Sequence, residues 1–261
     1  MTASPRGIRS RLAAPLEERI ALMAPARRLR LALARQIIAE FAGSRPIRLL
    51  DAGAGDGLLS LDLAKRHPDW TVVGVDTRGE LLEGARRRAR ARHLANVRFV
   101  QADLTQALAE NGFDVVMALE CLSEIPDDER ALRTMAEATV PGGLLVLQVP
   151  ERDWEPVLSG SARVWRHEVR HGYEAEELTA ILRRAGFEAV EVRPTYRALA
   201  AAAQEVRDRI RHSSLAGRAA AFPALAAAAG LERRGITVGR ARALLAIAHR
   251  PQRSRGPADP G

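Results

Sequence analysis

Residues 49–59, with the sequence LLDAGAGDGLL, place an acid and three alternate glycines between two apolar runs. Gly53, Gly55 and Gly57 remove side chains from a turn, so that a ligand can approach the main chain there. A helix that begins after such a turn also offers free N–H groups. The pattern is typical of a site for a nucleotide-like ligand. It differs from the dinucleotide fingerprint, whose third glycine comes one position later.

Two further acids stand where apolar runs end. Asp76 closes the run TVVGVD, and Asp103 closes the run VRFVQAD. Adenosine presents two ribose hydroxyls and an amine as donors, and two fixed carboxylates are matching acceptors. NAD would also need an acid after the second strand, but it gives no reason for Asp103, and its phosphates would lie near Asp51 and Asp56. Acids that cap helices or loops are the alternative explanation.

The elements that must position these residues alternate along the chain. Predicted strands cover 47–53, 71–76, 97–103, 113–119, 143–149, 188–194 and 241–249, and predicted helices cover 57–66, 79–94, 127–139 and 174–187. Strands that alternate with helices predict an α/β fold with a doubly wound, mostly parallel sheet.

Residues 47–150 resemble the core of the class I S-adenosylmethionine-dependent methyltransferases of the small-molecule type. Four stretches match that family in order and spacing: LLDAGAGDG, VVGVD, FVQADL and FDVVMALECLSEIPDDERALRTMAEATVPGGLLVLQVP. The resemblance implies a seven-stranded Rossmann-like sheet, S-adenosyl-L-methionine as the cofactor, and an enzyme that transfers a methyl group.

The resemblance also implies roles for single residues at the methionine and ribose ends of the cofactor. The loop that contains Gly53, Gly55 and Gly57 would hold the methionine part, and Asp51 would contact its amino group. Asp76 would bridge the two ribose hydroxyls.

At the adenine end, the resemblance implies that Asp103 accepts a hydrogen bond from the exocyclic amine while the Leu104 backbone faces the ring. Glu120, one residue past the fourth predicted strand, would line the cofactor site. The acceptor end is less well defined, because a hydroxyl or amine acceptor needs a base that no motif names.

Three residues are candidates for that base. In many small-molecule members similar to this chain the segment after the fourth strand reads Leu-Glu-His-Ile; here it reads LSEI and puts Glu124 in place of the histidine. His167 and His171 are the alternatives, in a stretch similar to the R-x-G-Y-x-E-E-L segment of bacterial small-molecule methyltransferases. A capping turn with surface histidines is the competing interpretation of that stretch. Tyr173 would position an acceptor or pack as a lid.

The predicted organisation has three parts. Residues 1–44 form an N-terminal helical cap, interrupted at Pro25. Residues 45–250 form the methyltransferase domain, with a helical insertion at about 197–235. The composition of 251–261 is typical of a disordered tail.

Composition limits the partners and the location. The net charge of +8 raises nucleic acid as a partner, but the arginines are dispersed and the cluster ARRRARAR would surround a helix, so nucleic acid is not favoured. The single cysteine, Cys121, excludes an internal disulfide framework and a Cys-rich zinc site. No apolar stretch approaches the length of about 18 residues that suggests a membrane span, and a cytoplasmic location is expected.

The sequence therefore predicts O-methylation of a small-molecule acceptor, in secondary-metabolite, quinone-like or glycan-pathway metabolism. An RNA methyltransferase and a non-catalytic S-adenosylmethionine-binding regulatory or assembly protein are the alternatives. No metal site is predicted. The acceptor and the oligomeric state are not defined by the sequence.

Overall fold

The computed structural model describes residues 25–158, 169–209 and 239–252, together with the single positions 223, 227, 230 and 231. The chain divides into two compact units. The sheet unit takes residues 34–154, 164–195 and 243–261, and the helical unit takes residues 1–33, 155–163 and 196–242. The predicted domain boundaries after residues 44 and 250 stay a prediction.

The sheet unit is built on seven strands. They are β1 Arg48–Ala52, β2 Thr71–Asp76, β3 Val97–Gln101, β4 Phe113–Leu119, β5 Thr139–Pro150, β6 Glu188–Thr195 and β7 Ala243–His249. Their order across the sheet is β3-β2-β1-β4-β5-β7-β6. Strands β1 to β5 pair in parallel, whereas β7 is antiparallel to both β5 and β6. The predicted α/β fold with a mostly parallel seven-stranded sheet is confirmed.

The helices follow the predicted alternation. They are α1 Pro25–Ala42, α2 Leu58–Arg66, α3 Gly79–Ala91, α4 Asp128–Ala138, α5 Ala175–Arg184 and α6 Ala198–Arg209, with a short 3-10 helix at Leu122–Glu124. The described part of α1 starts at Pro25, the residue predicted to interrupt it; proline is tolerated in the first turn, where its missing N–H has no helical partner to lose. None of these helices is long and apolar enough to cross a membrane.

The central strands are buried because helices cover a parallel sheet on both faces. Every residue of β1 after Arg48 is buried, and so are the residues of β2 after Thr71. The core continues through β4 and β5 to the apolar faces of α4 and α5. This packing fixes the strand ends, and therefore the loops that follow them.

The strand order reverses at β1. Strands β2 and β3 lie on one side of it, and β4 and β5 lie on the other. Ligands of such sheets bind in the crevice outside the carboxyl ends of the strands at this reversal. The loops after β1, β2, β3 and β4 carry most of the residues predicted to bind the cofactor, so the topology brings them to one edge.

The helical unit contains a buried ion pair. Arg242 Nη2 lies 2.6 Å from Glu205 Oε1, and the two side chains are 8% and 9% exposed. The Glu205 carboxylate also accepts hydrogen bonds from the backbone N–H groups of Val157 (3.0 Å) and Leu158 (2.8 Å). These bonds supply the partners that a buried charge requires, and they fasten the segment after residue 155 to α6.

Candidate cofactor and active site

A cleft of about 850 Å³ opens at the carboxyl edge of the sheet unit. Its walls come from the loops after β1, β2 and β3 and from the segment between β4 and α4. The lining residues are Gly53, Asp76, Thr77, Arg78, Ala102, Asp103, Leu104, Thr105, Gln106, Cys121, Glu124, Ile125, Pro126, Asp127 and Arg130. Clefts of this size accommodate small organic ligands.

The cleft brings five of the predicted site residues together, namely Gly53, Asp76, Asp103, Leu104 and Glu124. The other predicted residues do not line it. They are Asp51, Gly55, Gly57, Glu120 and His171. His167 lies outside the described residues.

The three glycines of the loop after β1 all have positive φ angles, of 77°, 54° and 71° at Gly53, Gly55 and Gly57. A Cβ atom on Gly53 would stand 2.3 Å from Cys121 Cβ, and one on Gly57 would stand 2.6 Å from Ala85 Cβ. Gly53 and Gly57 are therefore required to be glycine for two reasons, the left-handed backbone and the close packing against a neighbouring side chain. Gly55 is less crowded, with the nearest atom 3.8 Å away.

Asp51 lies behind this loop and is 3% exposed. Its carboxyl group accepts a hydrogen bond from Ser60 Oγ, at the start of α2. Burial raises the pKa of Asp51 to about 7, and the nearby charges of Asp56 and Asp76 act in the same direction. This bond links β1 to α2 on either side of the glycine loop. The contact of Asp51 with the cofactor's amino group stays a prediction.

Asp76, the last residue of β2, is 5% exposed and its carboxylate accepts four hydrogen bonds. Two come from backbone N–H groups, of Gly55 at 2.8 Å and of Arg78 at 2.9 Å. The other two come from the Arg78 guanidinium, at 3.0 Å from Nε and 3.2 Å from Nη2. Desolvation acts to raise the pKa of Asp76, but the hydrogen bonds from Arg78 and Gly55 hold it below its usual value.

Arg78 is a cleft residue that the sequence analysis did not identify. Besides its bonds to Asp76, its Nη1 atom lies 3.8 Å from Glu124 Oε2. An arginine two residues after an acid can reach back to it, but the spacing alone does not predict that it does. The Arg78 guanidinium thus lies between Asp76, which is predicted to bind the ribose, and Glu124, which is a predicted base.

The third wall of the cleft begins after β3. That strand ends at Gln101, two residues earlier than predicted, and Asp103 begins a turn. Its Oδ1 atom accepts hydrogen bonds from the backbone N–H and the hydroxyl of Thr105, both at 2.8 Å. Such a turn holds the exposed carboxylate in one orientation. Leu104 beside it is 5% exposed and presents an apolar surface to the cleft.

The segment after β4 completes the site. Glu120 has a φ angle of 63°, a left-handed conformation that is uncommon outside glycine, and its N–H donates to the Gln148 carbonyl at 2.8 Å. Cys121 Sγ donates to the Ala52 carbonyl at 3.1 Å. Burial raises the pKa of this thiol to about 12, which disfavours the nucleophilic thiolate form. The 3-10 helix then presents Glu124, whose side chain is 35% exposed.

A second segment holds this 3-10 helix in place. The backbone N–H groups of Val169 and Arg170 donate to the Ser123 carbonyl, at 3.0 and 3.3 Å. The Tyr173 hydroxyl and Arg170 Nη1 both donate to Asp128 Oδ2, at 2.8 and 2.9 Å. Tyr173 is fully buried, so it supports the site from behind and does not line the cleft.

Comparison with known proteins assigns the chain to a family. Residues 26–192 match the family described as the methyltransferase domain. The chain belongs to this family. The family is that of the class I S-adenosylmethionine-dependent methyltransferases, as the resemblance of residues 47–150 implied.

Several methyltransferases are similar to this one in sequence. The trans-aconitate 2-methyltransferase of Rhodopseudomonas palustris (strain HaA2) is 29% identical over 150 residues, which cover 56% of this chain and 57% of that protein. The protein of the same name from Deinococcus radiodurans is 35% identical over 103 residues, or 40% and 38% of the two chains. The chain thus spans 57% of the length of the first relative and 38% of the length of the second.

Solved structures share the fold. The phosphoethanolamine N-methyltransferase 2 of Haemonchus contortus, in complex with S-adenosyl-L-methionine, superposes with a TM-score of 0.61 at 22% identity, over 83% of this chain and 52% of that one. The [4+2]-cyclase SpnF superposes with a TM-score of 0.59 at 24% identity, over 83% and 80%. These likenesses place the methyltransferase in a common fold class and leave its acceptor to be inferred from the site.

Within the part of the chain that the structure covers, no three His, Cys, Asp or Glu side chains are grouped so as to hold a metal ion. Of the catalytic candidates, the cleft contains Glu124 and does not include the exposed His171. Among the described candidates for the base, Glu124 is therefore the one whose position in the cleft agrees with that role.

Proposed function

We propose that this methyltransferase transfers the methyl group of S-adenosylmethionine to an oxygen atom of a small molecule. The observation that carries the proposal is the cleft, which groups Gly53, Asp76, Asp103 and Glu124 around one cavity. Three carboxylates and a bare stretch of backbone suit a ligand with a positive charge, hydroxyl groups and an amine.

The residues present fit the adenosine part of the cofactor. Asp76 offers a buried carboxylate for the ribose hydroxyls, and Asp103 offers a fixed carboxylate for the adenine amine. The apolar side chain of Leu104, the residue after Asp103, also lines the cleft. Gly53 carries no side chain that would obstruct the methionine part. We assign these four residues to cofactor binding on this basis.

When bound, the cofactor supplies an electrophilic methyl group, and the protein's contribution is to align the acceptor and exclude water. Glu124 is the proposed base for a hydroxyl acceptor, since it faces the cleft and its carboxylate can take the proton. A carboxylate acceptor is already ionised at neutral pH and needs no base. The relatives are named for trans-aconitate, a carboxylate, so both kinds of oxygen are to be tested.

The surface arginines favour a small molecule over RNA. In the cluster on α3, Arg86 donates to the Phe99 carbonyl at 2.9 Å and Arg88 donates to the Asp56 carbonyl at 3.1 Å. Glu83 forms ion pairs with Arg86 and Arg90, at 3.4 and 3.2 Å. These intramolecular contacts occupy the groups that would otherwise bind phosphate. The cytoplasmic location stays a prediction.

The test is an incubation of the purified protein with deuteromethyl S-adenosylmethionine and a bacterial metabolite extract, with trans-aconitate in a parallel reaction. Mass spectrometry is expected to find the label on an oxygen of a small molecule, with an equal amount of S-adenosylhomocysteine formed. A third reaction contains tRNA. Label recovered in that tRNA, or no product above that of the Asp76→Asn variant, would contradict the proposal.

A further inference from the structure

The hydrogen bonds within the protein fill the acceptor positions of the Asp76 carboxylate. A carboxylate offers about four lone-pair positions on its two oxygens. Oδ1 accepts from the backbone N–H and the Nε of Arg78, and Oδ2 accepts from the backbone N–H of Gly55 and the Nη2 of Arg78. Each oxygen therefore has one backbone donor and one guanidinium donor.

The two kinds of donor differ in what it takes to remove them. The N–H groups of Gly55 and Arg78 belong to the backbone of the glycine loop and of the turn before α3. They can leave Asp76 only if the backbone of these loops moves. The guanidinium is on a long side chain that is 48% exposed, and rotation about its side-chain bonds can withdraw it. Withdrawal would vacate one position on each oxygen, and two positions are what the two ribose hydroxyls need.

A second partner for the withdrawn guanidinium is already in place. Glu124 Oε2 lies 3.8 Å from Arg78 Nη1 and belongs to a different wall of the cleft, after β4. A small rotation of either side chain would shorten this distance to that of a charge-assisted hydrogen bond. The positive charge of Arg78 is thus neutralised whether or not it remains on Asp76.

We propose that Arg78 is a further residue of the cofactor site, which sets the affinity for the cofactor by competing with the ribose for Asp76 and which moves to Glu124 when the cofactor binds. This inference rests on the proposed assignment of Asp76 to the ribose. The wild type should therefore bind the cofactor more weakly than a variant without this guanidinium, because binding must first break the pairing of Asp76 with Arg78.

Calorimetric titration with S-adenosylhomocysteine tests the inference on the full chain. The Arg78→Ala variant is expected to bind this ligand about fivefold more tightly than the wild type, the ratio that corresponds to about 1 kcal/mol for an exposed ion pair. Arg130→Ala is the matched control: it also removes one positive charge from the cleft lining, but Arg130 Nε donates to the Thr105 carbonyl and not to Asp76. The control is expected to show no tightening.

Three outcomes would overturn the inference. Unchanged or weaker binding by Arg78→Ala would mean that the guanidinium does not compete with the ligand. Equal tightening in Arg130→Ala would mean that only net charge matters. Absence of binding by the wild type and by both variants would overturn the proposed function itself, and this inference with it.

A crystal structure of the wild type with S-adenosylhomocysteine gives a measurement that does not depend on any variant folding. We expect the guanidinium of Arg78 within hydrogen-bonding distance of Glu124, and the ribose hydroxyls on Asp76. A guanidinium that remains on both oxygens of Asp76 beside a bound ligand would refute the inference.

Discussion

The close approach of Cys121 to Gly53 gives a quantitative test of how the glycine loop is built. In Gly53→Ala the new Cβ atom would stand 2.3 Å from Cys121 Cβ and 2.7 Å from its Sγ, at a residue with a φ angle of 77°. The left-handed backbone costs a non-glycine residue about 1–2 kcal/mol. Overpacking in a close-packed region costs about 1–3 kcal/mol more. We therefore expect the free energy of unfolding to fall by about 2–5 kcal/mol.

Gly43 provides the control for the backbone part. It also has a positive φ angle, of 58°, but a Cβ atom there would meet nothing within 4 Å. Gly43→Ala should lose only the conformational part, about 1–2 kcal/mol. The effect of alanine on the unfolded chain is the same in both variants and cancels in the comparison.

The steric part is isolated by a double-mutant cycle with Cys121→Gly, which removes both atoms that the new methyl group would strike. Urea denaturation of the four proteins gives the free energies. In the Cys121→Gly background, Gly53→Ala is expected to cost no more than Gly43→Ala costs in the wild type. Equal costs for Gly53→Ala in both backgrounds would refute the packing argument.

Three further predictions concern groups around the site. Burial raises the pKa of Asp51 to about 7, above the value of about 4 in an unfolded chain, so between pH 4 and pH 7 the native state binds a proton that the unfolded state has lost. The free energy of unfolding should therefore fall by up to about 4 kcal/mol as the pH rises from 4 to 7. Denaturation at several pH values should show that Asp51→Asn loses this dependence. Glu124→Gln should lower kcat by about 100-fold for a hydroxyl acceptor, whereas an unchanged kcat with such an acceptor would exclude Glu124 as the base. Tyr173→Phe removes one buried hydrogen bond to Asp128 and should lower the free energy of unfolding by about 1 kcal/mol in urea; no change would contradict that bond.

The buried strands could be predicted almost to the residue because a strand covered on both faces is a continuous apolar run. The bounds of β2 and β4 agree with the prediction. Strand β5 starts four residues earlier than predicted, at Thr139, because Pro141 and Gly142 lie within it and read as a turn. Pro141 and Gly142 lie between Thr139 and Leu144, where the register of the β4–β5 pair shifts. They therefore mark an irregularity within β5 and not its start.

The sequence predicts those site residues whose location depends only on where a strand ends. Acids at the carboxyl ends of neighbouring parallel strands lie at one edge of the sheet, which is why Asp76 and Asp103 line one cleft. The burial of Asp51 against Ser60 depends on how α2 packs behind the loop, and the pairing of Arg78 with Asp76 depends on a side-chain rotamer. Neither is expressed in spacing along the chain.

The proposed cofactor site depends most directly on Asp76 holding the ribose, and one titration tests that contact. Calorimetry with S-adenosylhomocysteine is to be compared for the wild type, Asp76→Asn and Asp69→Asn, the last an exposed acid that does not line the cleft. Loss of hydrogen bonds to a charged acceptor predicts at least about tenfold weaker binding by Asp76→Asn and unchanged binding by Asp69→Asn. Equal affinity in all three proteins would show that Asp76 does not hold the ribose.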